Sequence, residues 1–144
     1  MSLFTAIGIS ASGMDAQRSR AELITENLAN ADTTRTPDGG PYRRKDAVFT
    51  TAPAAESFAG MLSAASGAAD GVAVSQVTID DRDPERRYLP GHPDADADGY
   101  VAYPRVDPAS EMVDLLSASR GYQANVAAIS AVKDMIARSI DLFR

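Results

Sequence analysis

The sequence predicts an α+β protein in which long N- and C-terminal helices, each patterned as a strand of a coiled coil, enclose a small central β-rich module. Two apolar stripes of seven-residue period predict the helices, one in residues 3–28 and one in 112–143. The third observation is the middle, where the period is lost and short β-branched runs alternate with Gly, Pro and Asp. The boundaries that follow are 1–33, 34–107 and 108–144, with a flexible insert at about 51–71.

The first helix carries Leu3, Ile7, Met14, Ala21, Ile24 and Leu28 on one narrow stripe, interrupted by Ser10 and Gln17. A stripe that narrow is the pattern of a coiled-coil seam, whereas a globular core helix needs a wider apolar face. Asn30, Asp32, Thr33 and Thr34 end the helix with residues that favour turns and caps.

In the middle, Gly39-Gly40-Pro41 turns the chain into a short strand ending near Phe49, and Val72 to Ile79 is a second strand by its β-branched content. Thr51 to Gly71 is rich in Ala, Ser and Gly and predicts a mobile insert or at most a weak helix. Tyr100 to Tyr103 is a third extended piece, closed by Pro104.

The last helix opens after Asp107-Pro108, with Ser110 as the expected N-cap, and places Met112, Leu115, Tyr122, Val126, Ile129, Ile136, Ile140 and Phe143 on one stripe, broken at Ser119 and Lys133. Running to the chain end, it spans on the order of 50 Å at 1.5 Å per residue. Periodicity leaves two readings open: the terminal helices pack only on each other as a hairpin, or they also pack on other copies.

Composition excludes several classes. With 14 basic against 20 acidic residues, the net charge of −6 supplies no basic stripe for nucleic acid. The chain has no Cys, so thiolate metal sites and disulfides are excluded. No apolar run is long enough to span a bilayer, and the N-terminus lacks the basic start of a cleaved signal peptide.

One stretch, His92 to Pro104, invites a metal reading. Taken as an EF-hand loop, Asp94, Asp96, Asp98 and Gly99 fall at the first, third, fifth and sixth positions, but the closing twelfth position is Arg105 and prolines flank the stretch. The expectation is an exposed acidic turn. His92 has no second His or Cys to share a zinc ion, and Asp80 to Asp83 reads as a solvated turn with no accompanying nucleophile motif. Arg43-Arg44-Lys45 is a basic cluster in an acidic chain, suited either to an acidic patch on a neighbour or to an ordinary exposed strand face.

Several segments together resemble one family. Ala11 to Arg18, Glu26-Asn-Leu-Ala-Asn-Ala-Asp-Thr-Thr-Arg-Thr36, Gly39 to Arg44 and Ser117-Ala-Ser-Arg-Gly-Tyr-Gln-Ala-Asn125 are similar to the flagellar basal-body rod proteins. Tyr88 to Asp98, Gly99 to Pro104 and Glu111 to Leu115 narrow the resemblance to proximal-rod members. The resemblance implies a structural, non-enzymatic subunit without cofactor or metal. It implies terminal helices packed as a coiled coil lining a tube, with the β module projecting outward.

The tube would be a drive shaft and export channel needed for motility. The partners implied are other copies, other rod subunits and the flagellar type III export apparatus, which sends the chain uncleaved to the periplasm-spanning basal body; neither nucleic acid nor membrane insertion is implied. By the same resemblance, Asn27, Asn30 and Thr33 cap the first helix and bond the following loop. Tyr122 packs in the helix seam, and Arg120 and Asn125 make polar contacts with the first helix or the next subunit. Gly121 stands where relatives are expected to have Ala, and glycine costs roughly 1 kcal/mol of helix stability there.

Overall fold

The computed structural model describes residues 3–51 and 71–141 of the chain. Phe143 of the expected stripe, and residues 52–70 of the expected insert, lie outside the described residues. In chain order the elements are α1 (Leu3–Ala29), β1 (Lys45–Thr51), β2 (Val72–Ile79), β3 (Glu85–Tyr88), β4 (Tyr100–Tyr103) and α2 (Pro108–Asp141).

The strands form two separate antiparallel hairpins, β1 with β2 and β3 with β4. In the first, Lys45 faces Ile79 and Thr51 faces Val72, with a register shift between Val48 and Phe49. This hairpin leans on α1, where Ser12 Oγ accepts the Val72 N–H at 3.0 Å. β3 is an element that periodicity does not predict, because Glu85-Arg86-Arg87-Tyr88 has no apolar face of its own. Its partner supplies one: Arg86 lies over the Tyr100 ring at 5.3 Å and Arg87 over Tyr103 at 4.7 Å.

The β3–β4 connection contains the acidic stretch, and it is held rather than loosely solvated. Asp96 Oδ1 accepts the N–H groups of Asp98 and Tyr100, and its carboxylate pairs with Arg86. Asp94 accepts the Thr34 hydroxyl at 2.8 Å, which ties the loop to the chain leaving α1. Gly99, with φ +81°, makes the return into β4; a Cβ there would stand 3.0 Å from the Tyr88 ring.

α2 starts three residues earlier than an N-cap at Ser110 requires. Asp107 is the cap, its Oδ1 accepting the Ala109 N–H at 3.2 Å, and Pro108 takes the first helical position, where its missing N–H costs nothing.

The two helices pack along each other, and their contacts run in opposite chain directions. Gly13 meets Asn125, Gln17 meets Gly121, Arg20 bonds Asp114, and Asn27 bonds Glu111. The expected heptad therefore exists with its phase displaced. Gly13, Arg20 and Asn27 are seven apart, as are Glu111, Ala118, Asn125 and Val132. These residues, small or polar apart from Val132, line the seam, whereas Met112, Tyr122, Val126 and Ile140 are 42–64% exposed. The expected seam position of Tyr122 is thus corrected. Ile24 of the expected stripe is buried at 4% exposure, while glycines and amides let the backbones approach closely and leave several larger apolar side chains outside.

Gly13 tests this close approach. A Cβ on it would lie 2.9 Å from Asn125 Nδ2, which donates to the Gly121 carbonyl at 3.1 Å. In the Asn125→Ala background, Gly13→Ala gains the helix-propensity term of roughly 1 kcal/mol. With Asn125 present, that gain is cancelled or reversed. Urea unfolding of the four chains of this cycle measures the coupling. Equal effects of Gly13→Ala in both backgrounds would contradict the contact.

Candidate functional site

The buried centre of the molecule is polar. Asn27 and Glu111 are 0% and 1% exposed, and Tyr42 is buried beside them. Asn27 Nδ2 donates to the Lys45 carbonyl at 2.8 Å and to Glu111 Oε2 at 3.2 Å. Its Oδ1 accepts the Lys45 N–H and the Tyr42 hydroxyl, each at 2.9 Å. All the hydrogen-bonding capacity of the amide is used, and Lys45 is gripped by both its backbone groups as if by a neighbouring strand. The node thus binds the end of α1, the start of β1 and the first turn of α2.

Glu111 is balanced by Arg44, whose Nε donates to Oε1 at 2.6 Å, with Asp46 and Asp114 on the guanidinium's other side. Burial disfavours the Arg44 charge, yet its hydrogen bonds to Glu111 and Asp46 prevail and leave its pKa raised. Lys45 Nζ reaches Glu26 at 2.5 Å. Burial first, and then the charges of Glu26 and Glu111, push the Tyr42 hydroxyl up to about 12.

The residues expected to act at the end of α1 divide into two jobs. Asn30 does cap, its Nδ2 donating to the Glu26 carbonyl at 2.9 Å while Thr33 Oγ1 donates to Asn30 Oδ1 at 3.1 Å. Thr33 also accepts the Tyr42 N–H through its carbonyl at 3.0 Å. Asn27 does not cap; it bridges to β1 and α2.

Among the stripe residues, Ile7, Met14, Leu28, Leu115, Ile129 and Ile136 are half-buried, and Leu3 is 40% exposed. Asn125 is half-buried in the seam, and Arg120 is exposed with no partner among the described residues. Gly121 makes room for Gln17, whose Cδ would stand 3.1 Å from a Cβ there. The node residues Glu111, Tyr42 and Arg44 escape a search for apolar periodicity, since none belongs to an apolar stripe. A carboxylate early in α2 and Arg-Arg-Lys at the start of β1 were the available signals.

The metal reading finds its aspartates otherwise engaged, Asp94 with Thr34 and Asp96 with Arg86. His92 Nδ1 accepts the Asp94 N–H at 3.1 Å. Among the described residues no three His, Asp or Glu side chains gather where a metal ion could be held.

Two family descriptions match the chain: "Flagella basal body rod protein" over residues 7–35 and "Flagellar basal body rod FlgEFG protein C-terminal" over residues 97–142. Asn27 lies in the first segment and Glu111 in the second. The flagellar basal-body rod protein FlgC of Bacillus subtilis is 43% identical over 150 aligned residues, covering 99% of this chain and 99% of that protein. FlgC of Salmonella typhimurium is 41% identical over 143 residues, covering 99% and 98%, and FlgC of Borreliella burgdorferi is 37% identical over 151, covering 100% and 99%.

The node makes a testable acid–base prediction. A phenol whose folded pKa lies above its ordinary value of 10 contributes stability that is complete below pH 10 and lost as pH rises through about 12. Absorbance titration at 295 nm should therefore show one tyrosine component near 12 that vanishes in Tyr42→Phe. A folded chain whose Tyr42 component titrates at its ordinary value would contradict the buried node.

Proposed function

The chain belongs to the flagellar basal-body rod family, and from that membership we propose how it is built into the rod. It is a structural subunit of the bacterial flagellar basal-body rod. In our reading it occupies the proximal part and assembles helically through its terminal helices, forming the drive shaft and its export channel. The role is mechanical rather than catalytic. The partners are other copies and other rod subunits, and the flagellar type III apparatus exports the chain without cleavage. Among the described residues no helix is long and apolar enough to cross a membrane, which accords with a shaft that passes through membranes without being embedded in lipid.

The observation that carries this reading is the apolar outer side of α2. Met112 and Leu116, one turn apart, are 54% and 59% exposed, and Tyr122 and Val126, again one turn apart, are 42% and 43% exposed. At the far end of the helix pair, Leu3, Phe4, Ile136 and Ile140, with Ser139, line a largely apolar groove. A monomer gains nothing by exposing such a row, whereas a subunit packed among others buries it. Contacts that repeat without closing on themselves generate a helical tube. Arg120, exposed beside this row, is placed to pair with a neighbour.

Met112→Asp and Val126→Asp test the reading, because both sites are exposed and neither touches the node. Each change should move the stability of the isolated chain by no more than about 0.5 kcal/mol. Burying an unpaired carboxylate between subunits costs on the order of 3 kcal/mol or more. Each variant should then fail to restore swimming to a bacterium lacking its own copy. Normal swimming with both variants would sink the proposal.

A further inference from the structure

A cleft of about 120 Å³ lies between the Gly39-Gly40-Pro41 turn, the β2–β3 connection and the Pro104-Arg105 step, and four arginines line it: Arg43, Arg44, Arg82 and Arg105. One carboxylate, Asp80, stands among them. This concentration of guanidinium runs against the chain's net charge of −6.

The four cations differ in what already holds them. Arg82 is spent on Asp80, with contacts at 2.9, 2.9 and 2.5 Å, and Arg44 is spent on the buried Glu111. Arg43 reaches the Asp80 carbonyl at 3.5 Å and Asp81, whose side chain is 95% exposed, and such an exposed pair is worth little. Arg105 donates its Nε to the Asp83 carbonyl at 2.7 Å, and its remaining N–H groups have no partner among the described residues. The Nε bond fixes the guanidinium plane while leaving donors available to a carboxylate.

The walls suit an insertion. Pro41, Pro84 and Pro104 stiffen the sides, and Gly39 and Gly40 leave the rim without side chains, with nothing within 4 Å of either Cβ direction. Hydrogen bonds from Arg82 first, and then the charges of Arg82 and Arg105, hold the Asp80 carboxyl down at about 2.

We propose that this cleft receives an exposed Asp or Glu side chain from a neighbouring copy of the chain, held by Arg105 with Arg43. The inference rests on the rod-subunit reading. Twenty acidic residues against 14 basic ones make closely packed copies repel, unless cationic recesses take up carboxylates. Suitable carboxylates are at hand: Asp15 and Asp134 are exposed on the helices and have no partner among the described residues.

The test compares Arg105→Glu and Arg105→Lys with Val126→Asp in the full-length chain, by sedimentation of the purified protein at rising NaCl and by rod assembly in a bacterium lacking its own copy. Arg105→Glu should keep the wild-type circular dichroism and melting curve. It should weaken self-association about tenfold or more, and Arg105→Lys, a point charge without the planar fork, should fall between. The salt sensitivity of wild-type association should shrink in Arg105→Glu. Wild-type assembly and salt response in Arg105→Glu, with Val126→Asp failing, would overturn the cleft and leave the rod reading standing. Wild-type assembly in every variant would remove both.

Discussion

The side-chain amide of Asn27 is the constraint on which the other parts depend. It has no water to turn to, since it is fully buried, and its four hydrogen-bonding positions are filled by the two backbone groups of Lys45 in β1, the Tyr42 hydroxyl just before it and Glu111 in α2. Leaving a buried polar group unmet costs about 1–3 kcal/mol, more than a made bond returns, so the node favours one arrangement of its elements over every near miss. α1 cannot rotate without uncovering Asn27, β1 cannot slide without losing Lys45, and α2 cannot slip without stranding Glu111 beside Arg44. Buried ion pairs add little net stability, but they punish misalignment, and that suits a part that must repeat in register.

A polar seam inside the chain has a consequence on its outside. Glycine, alanine and amide residues occupy much of the line between α1 and α2, so that beside the buried Ile24 and Val132 several larger apolar side chains, Met112, Leu116, Tyr122, Val126 and Ile140 among them, stay exposed. The hairpin is held by its node and loops at one end, and by little but apolar edges at the other. The helix pair is thus only partly satisfied as a monomer, which is the physical expectation for an element that completes its packing among neighbours. Gln17 Oε1, buried in the seam without a hydrogen-bond partner among the described residues, marks the same incompleteness at the scale of one atom.

Much of the fold was legible in the sequence, and the misses share a cause. Seven-residue repetition located both helices, and β-branched content located β2, because those signals come from bulk hydrophobicity. The same signal placed the seam on Tyr122 and Val126 instead of Gly13, Ala118 and Asn125. Hydropathy gives a glycine or an amide no weight, although small size is what permits close helix approach. β3 was invisible for a related reason: Arg86 and Arg87 become strand residues only when Tyr100 and Tyr103 lie alongside. In the acidic loop, spacing alone showed the aspartates; their partners Thr34 and Arg86 come from distant or separate segments and required the fold. Asn27 and Asn30 were recognised by resemblance as the polar end of α1, yet which of them caps and which bridges was decided by β1 and α2.

The central claim, that one buried amide fixes α1, β1 and α2 together, is tested most directly by native-state hydrogen exchange on Asn27→Ala. The account predicts that exchange accelerates jointly in the last turns of α1, at the Lys45 amide and in the first turns of α2, while the β3–β4 hairpin keeps its protection. Acceleration confined to Lys45, with both helix ends unchanged, would show the amide to be one local hydrogen bond among many and would contradict it.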